Sequence, residues 1–95
     1  MKFENRTKLL SDMKDYTNQN SDKIIDFDKM SNNDKEHIYN IAASIIMTRD
    51  KILEGGSFVK SVVSNNLTEA ITRADGVNIK AIRFYVTLMY NYPKI

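Results

Sequence analysis

Cysteine is absent from the 95 residues. Its absence excludes a disulfide framework, a thiolate metal site and a cysteine nucleophile, and it fits a reducing cytoplasm. Histidine occurs once, at His37, so no two-histidine metal site can be built. No stretch approaches the roughly 20 apolar residues that span a bilayer. Met1-Lys2-Phe3-Glu4-Asn5-Arg6 runs straight into a polar amphipathic segment without an apolar signal core. The expectation is a cytoplasmic protein with no membrane association. Acid is scarce in the second half: residues 55–95 carry five Lys/Arg against two Asp/Glu, net +3, whereas residues 1–54 carry nine against ten, net −1. A mildly positive half is compatible with an anionic partner. It falls short of the dense basic stripe of a committed nucleic-acid binder, and a mixed solvated surface gives the same pattern.

The chain reads as a single helical domain over residues 1–95. Its apolar content of 42% suffices for a packed globule. A chain this short buries only about two-thirds of its unfolded surface, so a homo-oligomer is a further way to bury more. There is no internal repeat and no low-complexity tract.

Helical stripes and stop signals alternate along the sequence. Phe3, Leu9, Leu10, Met13 and Tyr16 share one helical face over residues 3–17, and Asn18-Gln19-Asn20-Ser21 ends it. Residues 22–30 read as a loop or single turn, pinned by Ile24 and Phe27. Ile25 and Phe27 also alternate like a strand, but no second strand exists to pair with. Asn33 caps a long helix over about 33–54, roughly 33 Å at 1.5 Å per residue, with Ile38, Ile41, Ile45 and Ile52 inward and Gly55-Gly56 as its stop. Ser57 caps the next helix, with Phe58, Val59, Val62 and Val63 inward. Asn66-Leu67-Thr68-Glu69 has capping-box spacing and opens a helix with Leu67, Ala70, Ile71 and Ala74 inward, stopped by Gly76. Asn78 starts the last helix, apolar on most of its circumference. The expected fold is all-α: a compact bundle of four to five helices, joined by tight Gly/Asn corners, with 33–54 and 78–92 as its spine.

The candidate chemistry is sparse. His37 can act as a general base, but no nucleophile motif lies near it, and a surface histidine fits as well. Asp22, Asp26 and Asp28 have spacing that can hold a divalent cation, yet they lack the glycine and terminal glutamate of an EF-hand and read equally as a solvated acidic loop. Gly55-Gly56-Ser57 resembles a fragment of a phosphate cradle. It lacks the Gly-Lys-Ser/Thr end and the preceding strand of a P-loop, so a tight helix corner is the plain alternative. In the cradle version Ser57, Lys60, Arg73 and Lys80 hold a phosphate-bearing ligand. Lys80, Arg83 and Tyr85, with Tyr90 and Tyr92, set cations beside rings. That mixture suits stacked bases or a protein hot spot, or simply the finishing of a small core. No catalytic residue, cofactor or metal site is expected.

The stretch Gly56-Ser57-Phe58-Val59, Asn66-Leu67, Ala70, Arg73-Ala74-Asp75, Asn78, Tyr90-Asn91 and Pro93 resembles a pattern of short open reading frames of phages and other mobile elements. It brings no catalytic motif, and residues 1–54 take no part in it. The resemblance implies a non-enzymatic inhibitor or regulator, such as an anti-CRISPR or other anti-defence protein, although likeness alone does not establish function. The expected function is therefore docking on a host protein of the nucleic-acid-handling or defence machinery, through Lys60, Arg73, Lys80, Arg83, Tyr85 and Tyr92. A small helical nucleic-acid-binding regulator and a protein that sequesters a nucleotide signal around Gly55, Gly56 and Ser57 are the alternatives.

Overall fold

A computed structural model describes residues 3–93. Among these residues there are six α-helices and no strand: α1 (Phe3–Gln19), α2 (Asn32–Arg49), α3 (Ser57–Val63), α4 (Leu67–Arg73), α5 (Gly76–Lys80) and α6 (Ile82–Asn91). Two 3-10 turns, Ser21–Lys23 and Phe27–Lys29, fill the gap between α1 and α2.

Helix α2 is the hub. It packs against α1, α3, α5 and α6, and Ile38, Tyr39, Ala42, Ala43, Ile45, Ile46 and Met47 are all buried along it. Side chains buried this widely around a helix require neighbours on several sides. Each fully buried Ile contributes about 1.5–3 kcal/mol relative to exposure. On α1 the buried stripe is Leu9, Met13 and Thr17, spaced by four. The Thr17 hydroxyl is satisfied locally, donating to the Met13 carbonyl at 2.6 Å. The side chain of Phe3, which the sequence places on this stripe, lies outside the described residues.

Between α1 and α2, Ile24 and Phe27 are buried and Ile25 is exposed. This is the pinned loop the sequence suggested, not a strand. The Ile25 N–H donates to the Lys80 carbonyl at 2.9 Å, which ties the loop to the junction of α5 and α6. The Lys35 ammonium sits 5.0 Å from the centre of the Phe27 ring, a favourable cation–π distance.

Several boundaries differ from those read in the sequence. Ser31, not Asn33, caps α2: its Oγ accepts from the Asp34 N–H at 3.1 Å. The helix stops at Arg49, well before the glycine pair. Lys51 adopts a left-handed φ of 63°, its N–H donates to the Thr48 carbonyl at 3.1 Å, and the Ile52 N–H donates to the Met47 carbonyl at 2.8 Å. These are the paired bonds of a Schellman ending, with lysine where glycine is usual. The turn folds Ile52 back against the core, so the apolar periodicity runs on after the helix has ended. The same ending closes α3 at Asn65, φ 64°, with the Asn66 N–H donating to the Ser61 carbonyl at 2.9 Å.

Gly56, not Ser57, is the N-cap of α3, and it has no capping side chain. Gly55 is needed for closeness: a Cβ there would meet Val59 Cγ1 at 2.7 Å and Thr48 Oγ1 at 2.9 Å. Asn66 caps α4 as expected, accepting from the Glu69 N–H at 3.2 Å. The box closes on one side only, because the Asn66 N–H is already taken by Ser61. Gly76 does not stop α4 but opens α5, whose cap is Asp75 accepting from the Asn78 N–H at 2.7 Å. The expected last helix is divided at Ala81, whose N–H donates to the Asn78 carbonyl at 3.1 Å.

Candidate functional site

Helix α4 is seven residues long, and only Ala70 is buried on it. Two turns packed on one side cannot hide four apolar positions, so Leu67 and Ile71 face outward. This reverses their expected inward placement. Leu67 and Ala70, with Val62 of α3 and Ile82 and Val86 of α6, line a shallow groove. A second groove, lined by Lys23, Ile25, Ile79, Lys80, Ile82 and Arg83, lies on the other side of Ile82. Ile82 borders both, so the two form one continuous face.

The exposed large apolar side chains concentrate here. Among the described residues they are Ile25, Leu53, Leu67, Ile71, Ile79 and Tyr90. Ile25, Leu67 and Ile79 line the grooves, at 62%, 54% and 40% exposure. Ile71 lies one turn beyond Leu67, and Tyr90 one turn beyond Val86, on the same helix sides. Leu53 is the exception. Apolar surface gathered in this way marks a contact face more often than scattered exposed residues do.

Of the six residues expected to meet a partner, Lys80 and Arg83 border this face. Lys80 Nζ lies 3.7 Å from Asp26 Oδ2. The exposed Arg83 guanidinium has no ion-pair or hydrogen-bond partner among the described residues. Lys60 is on α3 and is bonded to Glu54, which holds the Glu54 carboxyl below the usual carboxylate range, first through that hydrogen bond and then through the lysine charge. Arg73 pairs with Glu69 one turn earlier on α4, Nε to Oε2 2.8 Å. Lys60 and Arg73 line neither groove.

Tyr85 is a correction. It is fully buried, as is Phe84, and its hydroxyl donates to Asn78 Oδ1 at 2.8 Å. Its ring meets Phe58 edge-on at 5.8 Å. The side of α6 that carries Phe84, Tyr85, Leu88 and Met89 is buried, so Tyr85 offers no surface to a partner. Burial, with the Asp75 charge adding to it, raises the Tyr85 phenol far above its ordinary value. Tyr92 is half-buried at the opposite end of α6, its ring edge-on to Tyr16 at 5.4 Å. Burial raises its phenol too, Asp12 adding and Arg49 opposing.

The other candidate chemistry is spent on structure. His37 Nε2 lies 3.1 Å from Asp75 Oδ2, linking α2 to the start of α5, while the second Asp75 oxygen serves as the α5 cap. Asp22 pairs with Lys23 at 3.7 Å and Asp26 with Lys80. Among the described residues no three His, Cys, Asp or Glu converge to hold a metal ion. The Ser57 carbonyl accepts from the Ser61 hydroxyl at 2.8 Å, and the Lys60 cation beside the corner already has Glu54. No helix among the described residues is long and apolar enough to cross a membrane.

The sequence reading passed over Arg49. Its side chain is mostly buried against Asp50, Nε to Oδ1 2.8 Å, and it reaches the carbonyls of Met89, Tyr92 and Pro93. The only sequence signal was a lone cation ending the long apolar helix. No protein-family model, curated protein or solved structure matches the chain.

Proposed function

We propose that this chain is a non-enzymatic binding protein that docks on another macromolecule through the face centred on Ile82 and acts by occupying it. The carrying observation is the gathering of Ile25, Leu67 and Ile79 around Ile82, edged by the unpaired Arg83. Apolar area supplies affinity there, and the cations steer the encounter. The contact set therefore differs from the one the sequence suggested: Lys80 and Arg83 stay in it, Lys60, Arg73, Tyr85 and Tyr92 leave it, and Leu67, Ile79 and Ile82 enter. The resemblance to phage and mobile-element proteins gives the target a direction, a host protein whose working surface is covered.

The test compares immobilised wild type with Leu67→Asp, Arg83→Glu and the remote α1 variant Lys8→Glu. One macromolecule in a lysate of the source cell should be retained by wild type and Lys8→Glu and lost by both face variants. Equal retention on all four proteins would remove this face from the function.

A further inference from the structure

We infer that Ile25 and Asp26 form a strap that bends the last helical segment, and that release of this strap lets α5 and α6 join into one helix over residues 76–91. The inference concerns the backbone beneath the proposed face and does not rest on the binding reading. Nothing local demands the bend. Residues 77–92 contain neither glycine nor proline, and Lys80, Ala81, Ile82 and Arg83 are ordinary helix formers. The chain nevertheless leaves the helix at Ala81, φ −105° and ψ 6°.

The strap supplies the cause. A continuous helix would give the Lys80 carbonyl to the Phe84 N–H, four residues on. The Ile25 N–H takes it instead at 2.9 Å, and Asp26 Oδ2 lies 3.7 Å from Lys80 Nζ. Two successive strap residues thus hold the backbone and the side chain of one residue at the junction. Helix bonding resumes one residue later, from the Tyr85 N–H to the Ala81 carbonyl at 2.9 Å.

The strap has room to move. Buried Ile24 and Phe27 pin its ends, while Ile25 and Asp26 between them are exposed. Asp26 sits at a left-handed φ of 59°, which a residue with a Cβ adopts at a cost. Strain of this kind gathers at switch elements. Between strap and junction lies a cleft of about 220 Å³, with Ile24 and Ile25 on one wall and Ile79, Ile82 and Arg83 on the other. The contacts to Lys80 therefore hold the strap more than close packing does. The His37–Asp75 contact also anchors α5, so the bent form is the resting one. Joining α5 to α6 would set Ile79, Ile82 and Val86 on one unbroken stripe and reshape the surface around Ile82.

Backbone NMR with amide hydrogen exchange on the full chain tests this in Ile25→Pro. The variant removes the N–H that holds Lys80 at little other cost. The Ile25 side chain is 62% exposed, and Ile24, φ −118° and ψ 122°, already has the extended backbone favoured before proline. Ala81 should move to helical carbon shifts, and exchange at Phe84 should slow about tenfold as its N–H gains the Lys80 carbonyl. An Ala81 still outside the helix, whether α5 stays seated or comes loose, would overturn the proposal, because the bend would then be intrinsic. Should Ile25→Pro fail to fold, Lys80→Ala decides. It removes the Asp26 ion pair and leaves the carbonyl in place, so Ile25 N–H exchange should quicken about two- to fivefold while the buried amides of α2 keep their rate. An Ile25 N–H that exchanges only together with those α2 amides would mean that the strap opens only on global unfolding, and would sink the switch.

Discussion

The Arg49 guanidinium donates to the Tyr92 carbonyl at 2.7 Å, across 43 positions of chain. The same nitrogen donates to the Met89 carbonyl at 2.8 Å, and the other terminal nitrogen donates to Pro93 at 3.1 Å. A helix leaves its last carbonyls unpaired. At the end of α6 the Met89 carbonyl, with those of Tyr92 and Pro93 just beyond the helix, is satisfied by a cation from α2 that also matches the negative end of the helix dipole.

Removing that cation should be costly. Arg49→Met strips donors from three carbonyls and ends the ion pair with Asp50, an expected loss of about 2–4 kcal/mol. Arg49→Lys should recover little, because a single ammonium cannot span the same acceptors. Urea denaturation, with hydrogen exchange in the last turn of α6, measures both.

Lys51 is the opposite case. A left-handed φ costs a side chain with a Cβ about 1 kcal/mol relative to glycine. Lys51→Gly should therefore stabilise the fold and raise the melting temperature by several degrees, roughly 4–8 °C per kcal/mol for a domain of this size. Asn65→Gly should gain less, since asparagine tolerates that conformation better. A lower melting temperature for Lys51→Gly would contradict the Schellman ending.

The two neighbouring glycines should separate cleanly. Gly55→Ala forces a methyl into Val59 and Thr48 and is expected to cost about 1–3 kcal/mol, as overpacking does. A Cβ at Gly56 meets nothing within 4 Å. Gly56→Ser adds a capping hydroxyl to α3 and should gain a few tenths of a kcal/mol. Thermal melts of the two variants give the comparison directly.

Tyr85 predicts an alkaline limit. Its phenol is raised in the folded state, so the unfolded chain releases that proton first, near pH 10. The stability held by the neutral phenol is complete below about pH 10 and falls as pH rises further, by up to about 1.4 kcal/mol per unit. Tyr85→Phe should lie about 1–3 kcal/mol lower at neutral pH, since the buried Asn78 carbonyl loses its donor. It should also fall less steeply above pH 10. Parallel curves would mean that the hydroxyl is hydrated in the native state.

The helices themselves were legible because periodicity and caps are local. Asn66 announced its cap correctly, and the stripe Ile38, Ile45 identified α2. Two features hid the remainder. The Schellman turn at Lys51 packs Ile52 against the core after the helix ends, so the apolar pattern continued where the helix did not. The break at Ala81 carries neither glycine nor proline; it falls where the Ile25 N–H reaches the Lys80 carbonyl, a long-range bond no local pattern encodes. The face was misread for a related reason. A stripe says which side of a helix is apolar, not whether a neighbour covers it, and α4 is too short to cover Leu67 and Ile71.

Most helix pairings join neighbours in the chain: α1 with α2, α2 with α3, α3 with α4, α5 with α6. Such short closures form quickly, whereas seating α6 on α2 spans the whole second half. The Arg49 bonds, made only by that late step, should be absent at the folding barrier. Stopped-flow measurements on Arg49→Met should then show unfolding accelerated far more than refolding is slowed, so that one side chain governs how long the native molecule lasts, not how fast it assembles.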